Sequence, residues 1–161
     1  MERYAGLIKN DFANGEGTCV SFWTQGCPHK CRGCQNPETW DFNGGKILST
    51  DIKGDIIKAI CANNIIRNFS ILGGEPLCPE NKEEVNKIIL SVRAAFPHIK
   101  IFLWTGYVLE DLKEKKDPIL ENILSHIDVL IDGPYIEEQR DITLKLRGSR
   151  NQRILYKGTD F

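Results

Sequence analysis

Short β-branched and aromatic runs alternate along this chain with longer stretches in which apolar residues recur every three or four positions. Residues 18–23, T-C-V-S-F-W, predict a strand that runs into Thr24, Gln25 and Gly26. Over residues 50–64, Ile52, Ile56, Ile57, Ile60 and Cys61 share one helical stripe, with Asp51 and Asp55 near the positive N-terminal end. Residues 68–72 predict a short strand stopped at G-G-E-P, whose two glycines admit backbone angles closed to most residues. A second helix is predicted from Asn81, spaced from Glu84 as in a capping box, through Val85, Ile88, Ile89, Val92 and Phe96 until Pro97. Strand 99–104, a turn at 105–107, helical material over 109–126 and strand 127–131 follow, the last stopped at D-G-P. Residues 142–146 and 153–156 predict two further short strands.

Strands and helices thus alternate, and the strands are apolar almost throughout. That pattern predicts an α/β fold with a mostly parallel sheet covered on both sides. In such folds the ligand site lies at the C-terminal ends of the strands. Four segments meet there: the loop after the first strand, G-G-E-P, W-T-G-Y and D-G-P-Y. At 161 residues the chain is well short of the roughly 250 typical of a closed eightfold barrel. The expectation is a partial, open (β/α) barrel in a single domain spanning residues 1–161.

Composition narrows the setting. Apolar residues at 41% and charged residues at 27% are ordinary globular usage, and no apolar run approaches the roughly 18 residues of a membrane span. The first ten residues hold no signal-like apolar stretch, which predicts a cytoplasmic protein. Net charge is -1, from 21 basic and 22 acidic residues, so nothing global points to nucleic acid or to an anionic membrane as partner.

The cysteines change the picture more. Cys27, Cys31 and Cys34 fall within eight residues of Q-G-C-P-H-K-C-R-G-C-Q-N-P, whereas Cys19, Cys61 and Cys78 are scattered and read as small buried hydrophobes. Crowded thiols in a reducing compartment suit zinc or an iron-sulfur cluster. Structural zinc needs a fourth ligand, and neither His29 nor any distant cysteine has convincing finger spacing. A four-iron cubane normally takes four cysteines, so three leave one iron with a free coordination place.

The spacing C-x3-C-x2-C, followed after the next strand by G-G-E-P, resembles the radical S-adenosylmethionine superfamily. The resemblance implies that Cys27, Cys31 and Cys34 bind a 4Fe-4S cluster whose free iron is chelated by S-adenosylmethionine. It implies further that Gly73, Gly74 and Glu75 line the methionyl amino group. An ammonium wants backbone carbonyls and a carboxylate around it, and G-G-E supplies both. Members often carry an aromatic residue before the third cysteine. This chain has Gly33, so the backbone of Gly33 and Cys34 is expected near the adenosine, with W-T-G-Y, Thr105 included, helping to hold the ring and Asp132 as a polar contact to the ribose or to the incoming loop. Trp104 and Tyr107 themselves read as packing.

Small size together with G-C-P-H-K-C-R-G-C-Q-N-P-E-T-W, W-T-G-Y, D-V-L-I-D-G-P-Y and R-G-S-R-N-Q-R is similar to the activating proteins of anaerobic (class III) ribonucleoside-triphosphate reductases. That resemblance implies a protein substrate: a glycine in the large reductase subunit, from which the 5'-deoxyadenosyl radical takes a hydrogen atom. It also implies self-association as a homodimer and an external one-electron donor such as flavodoxin or ferredoxin, because no flavin or nicotinamide motif is present. Arg147, Arg150 and Arg153 are candidates for binding the methionyl carboxylate or the reductase. Two alternatives remain open at this stage: a small-molecule radical enzyme, and a zinc-stabilised binding module without chemistry.

Overall fold

A computed structural model describes residues 1–161. Its centre is four parallel strands, β2 (Cys19–Thr24), β4 (Asn68–Gly73), β5 (Ile101–Trp104) and β6 (Val129–Asp132). β1 (Arg3–Asp11) joins β2 antiparallel, and the two-residue β3 (Lys46–Ile47) joins β1 antiparallel, so β3 runs with the central four. β7 (Arg153–Tyr156) closes the other side antiparallel to β6, giving the order β3-β1-β2-β4-β5-β6-β7. β3 and β7 are the edge strands. The sheet is mostly parallel and open.

Four helices cross between strands: α1 (Ile52–Ile60), α2 (Lys82–Ala95), α3 (Leu109–Glu114) and α4 (Pro118–His126). On α2 the spacing i, i+3, i+4, i+7 places Val85, Ile88, Ile89 and Val92 on one stripe, and all four are fully buried. Burying each is worth roughly 1.5–3 kcal/mol. These residues, Ile56 and Ile60 of α1, Leu112 of α3 and Ile123 of α4 join one cluster with Ile71, Ile101, Leu103 and Leu130 of the sheet. All helices therefore lie on one face. The expected cover on both sides is of two kinds: on the other face the alternate strand residues Phe102, Val129 and Ile131 form a separate small cluster with Trp104, Leu146 and Ile154, under loops and not helices. Ser70, also on that second face, donates to the Asn14 carbonyl at 2.6 Å, which pins loop 12–18 over the strands.

Other departures have identifiable causes. Helix 109–126 is broken at Lys116, whose φ is +48°, and restarts at Pro118 under an Asp117 cap that accepts from the Ile119 and Leu120 amides. Residues 142–146 form no strand: Ile142 is 84% exposed and Leu146 sits at φ +59°. Helix α2 does start after Asn81, but that side chain makes no cap; it turns instead to the loops of β2 and β4. Cys19 and Cys78 are fully buried as read, whereas Cys61 is exposed at the end of α1.

Candidate active site

The C-terminal ends of β2, β4, β5 and β6 open into a cleft of about 580 Å³ on the loop-covered face. Cys27, Cys31 and Cys34 line it from the loop after β2, Gly73, Gly74 and Glu75 from the loop after β4, and Thr105 and Gly106 from the loop after β5. The bend behind β6 and the segment around Arg147 form the opposite wall.

Backbone bonds fasten the cysteine loop to its neighbours. The Gly26 amide donates to Thr39 O at 2.7 Å and the Cys27 amide to Trp40 O at 3.1 Å, so the loop folds back on residues 39–40. The Glu75 amide donates to Gly26 O at 2.9 Å, and a Cβ on Gly74 would lie 2.4 Å from that same oxygen. Only glycine allows this approach. Asn81, 1% exposed, completes the joint: its Nδ2 donates to Gln25 O at 3.1 Å and to Glu75 O at 3.0 Å.

Glu75 is the hub of the cleft floor. Its Oε1 accepts from the Leu77 amide at 2.9 Å and from Thr105 Oγ1 at 2.8 Å. Its Oε2 accepts from the Gly106 amide at 2.8 Å and pairs with His29 Nε2 at 2.7 Å. A carboxylate has about four acceptor positions, and here all are engaged by three different loops. His29, flanked in sequence by the cysteines, thus ties their loop to β4 and β5. Its ring meets Tyr107 edge-on at 4.6 Å, and a Cβ on Gly106 would strike that ring at 2.6 Å.

All six cysteines are free thiols. Burial pushes the Cys27 thiol above its ordinary range, against the pull of the His29 and Lys30 amides directed at it. The Asn36 amide points at Cys34 Sγ at 3.4 Å. Amide donors around sulfur suit thiolate ligands of an iron-sulfur cluster, and a metal's charge would offset the cost of ionising a buried thiol. No three His, Cys, Asp or Glu side chains stand close enough to surround one metal ion.

The remaining expected contacts divide. Thr105 lines the cleft, with its hydroxyl committed to Glu75. Gly33 is exposed on the outer turn of the cysteine loop, beside Arg32, which pairs with Glu137 at 3.1 Å. Asp132 does not reach the cleft: fully buried, it accepts from the Leu109 amide at 2.8 Å and from Arg153 Nε at 2.9 Å. Its position at the first residue of a turn hid that commitment. His29 and Asn81 carry parts that the sequence did not assign. For His29 the available signal was its place between two candidate ligands; for Asn81 there was none beyond its position at the start of a helix.

The 4Fe-4S single cluster domain family model matches residues 13–155. An anaerobic ribonucleoside-triphosphate reductase-activating protein of Enterobacteria phage T4 is 39% identical over 158 residues, 98% of this chain and 95% of that protein. Proteins of the same name from Vibrio cholerae (37% over 145 residues, 89% and 91% of the two chains) and Pasteurella multocida (35% over 159 residues, 98% and 99%) are also similar. With three cysteines converging on one cleft and alignments that run nearly end to end, the chain belongs to the 4Fe-4S family of anaerobic ribonucleoside-triphosphate reductase-activating proteins.

Proposed function

We propose that this chain activates an anaerobic ribonucleoside-triphosphate reductase by leaving a glycyl radical on its large subunit. The observation that carries the reading is the meeting of Cys27, Cys31 and Cys34 with the Gly73, Gly74 and Glu75 turn in one cleft at parallel strand ends. Cys27, Cys31 and Cys34 would hold a 4Fe-4S cluster, which would supply the one electron needed to split S-adenosylmethionine into methionine and a 5'-deoxyadenosyl radical; that radical would take a hydrogen atom from the glycine and become 5'-deoxyadenosine.

The chain's own residues hold and enclose. Gly73 and Gly74 offer backbone to the cosubstrate's ammonium, and the buried Glu75 charge favours a cation there, while its four hydrogen bonds keep the turn in place. The backbone of Cys34, which lines the cleft, would face the adenosine, whereas Gly33 stands on the outer turn. An open sheet, read as the partial barrel of radical S-adenosylmethionine enzymes, leaves one side for a loop of the partner, which completes the wall and shuts out water. Electrons come from an external donor such as reduced flavodoxin or ferredoxin. No helix is long and apolar enough to cross a membrane.

The test is anaerobic. Reconstituted, reduced protein mixed with S-adenosylmethionine and the large subunit should give a glycyl-radical resonance with a matching amount of 5'-deoxyadenosine. Replacing Cys27, Cys31 and Cys34 together by alanine should remove cluster and radical alike while the fold survives. A full glycyl signal from that variant, or none from the loaded wild type, overturns the reading.

A further inference from the structure

The three arginines of R-G-S-R-N-Q-R have different fates. Arg153 donates to Asp132 and Glu110, away from the cleft. Arg150 is exposed. Arg147 lines the cleft with the three cysteines and Gly74. Within the chain it makes a single hydrogen bond, from Nη1 to Gln152 O at 2.8 Å, and its Nε–H is buried with no partner at all. The nearby acid, Asp141, has already turned to the Thr143 amide and hydroxyl.

The segment carrying Arg147 is held firmly. Gln152 Oε1 accepts from the Gly148 and Ser149 amides at 2.9 and 3.1 Å, and Gln152 Nε2 donates to Gly133 O at 3.1 Å. On the other side Leu146 occupies the left-handed region at φ +59°, and Trp104 Nε1 donates to its carbonyl at 2.7 Å. A non-glycine residue in that region is strained, and such strain persists where surrounding bonds enforce it, often at ligand sites. A charged donor left buried and unpaired is costly, and within a cleft it marks the place of an acceptor brought by a ligand.

We infer that Arg147 is the carboxylate-binding residue of this cleft, acting through the Nε–Nη2 edge opposite the Nη1 that Gln152 holds. Two parallel N–H groups on one guanidinium edge match the two oxygens of a carboxylate. Because Nε is buried, presenting that edge to the cleft takes a turn about the outer side-chain bonds, in which the single bond to Gln152 O is exchanged for the two to the carboxylate. The inference rests on the function proposed above, and the carboxylate comes either from the methionyl part of S-adenosylmethionine or from an acidic side chain of the reductase.

Cluster-loaded protein kept oxidised, so that nothing turns over, separates these sources by equilibrium binding. Arg147→Gln should weaken S-adenosylmethionine binding tenfold or more, Arg147→Lys less, and the control Arg150→Gln not at all, with iron and sulfide per chain unchanged. Decarboxylated S-adenosylmethionine should bind wild type and Arg147→Gln alike, because the group that the arginine grips is missing. Unchanged cosubstrate affinity with a tenfold weaker complex with the large subunit assigns the carboxylate to the reductase. Unchanged affinity for both overturns the assignment and leaves the proposed function standing. If the loaded wild type binds no S-adenosylmethionine, the proposed function falls first and this inference with it. Should Arg147→Gln lose its cluster, the Lys variant carries the test, since it keeps the charge and lacks only the paired donors.

Discussion

The helix-covered face of the sheet and its loop-covered face draw on alternate residues of the same strands, yet they are filled in different ways. Under the helices, Phe69, Ile71, Ile101, Leu103 and Leu130 belong to a single large apolar cluster. Opposite them, Ser21 and Ser70 are buried polar residues bonded to Asp11 and Asn14, and Phe102, Val129 and Ile131 form a patch a few residues wide. The first face stores stability by area removed from water. The second is held by directed hydrogen bonds from loops, which position donors and acceptors but bury little. The site proposed above, open to a protein loop, suits the second kind of surface, and the first supplies the stability that its strained bends consume.

The sharpest way to break this contrast is to cut into the helix face at its apolar core and at its polar end, and to read stability against cluster loading and cosubstrate binding. Phe69→Ala, under the helices, should cost about 3–5 kcal/mol by cavity formation, seen as a lower urea midpoint, while the fraction that stays folded still binds its full iron and sulfide. Loss of iron from protein that remains folded would erase the division of labour between the faces. A smaller effect is expected at the polar end of the helix-covered face, where Asp132 and Arg153 meet α3. Arg153→Leu leaves the fully buried Asp132 carboxylate with only the Leu109 amide, which should cost about 1–3 kcal/mol for the lost partners, since Arg153 itself is partly exposed to solvent. S-adenosylmethionine affinity should stay within about twofold, a margin well under the 1.4 kcal/mol of a tenfold change. A tenfold loss would return Asp132 to the cosubstrate contact that the sequence suggested.

Much of the helix face was legible in the sequence, because its determinants are periodic: the α2 stripe and the apolar strands announce themselves in one dimension. The cysteine loop and G-G-E-P were legible for another reason, their ligand chemistry being local in sequence. What stayed hidden was whatever depends on a partner distant along the chain. Strand β1 is only partly buried, with Gly6 in its middle and two irregularities in its register with β2, so it lacks a clean alternation. Asn81 has the residue type and spacing of a cap, and only the nearness of Gln25 O and Glu75 O explains why it turns away. The same holds for Glu75 itself: a loop carboxylate reads as a ligand contact until Leu77, Thr105, Gly106 and His29 are found around it. Asp117-Pro118, by contrast, was a helix-start signal in plain view, overridden by the apolar periodicity on either side.

That cap offers the finest test, since it lies on the helix face yet works by polar bonds. Lys82 and the Ile119 and Leu120 amides hold the Asp117 carboxyl below its ordinary range. A carboxyl lowered on folding stabilises fully above its unfolded pKa of about 3.9, and the benefit fades as pH falls through the lower folded value. Asparagine caps a helix about as well as aspartate, so Asp117→Asn removes the bond to Lys82 and leaves the cap. Its cost at neutral pH should be below about 1 kcal/mol, and it should vanish in acid as the wild type loses the same charge. Asp117→Ala should cost about 1 kcal/mol more at every pH, because the cap goes too. Urea melts of the three proteins at neutral and acid pH separate the two contributions. If Asp117→Asn keeps its full penalty in acid, the ion pair is not its source, and packing between α2 and α4 is what the substitution disturbs.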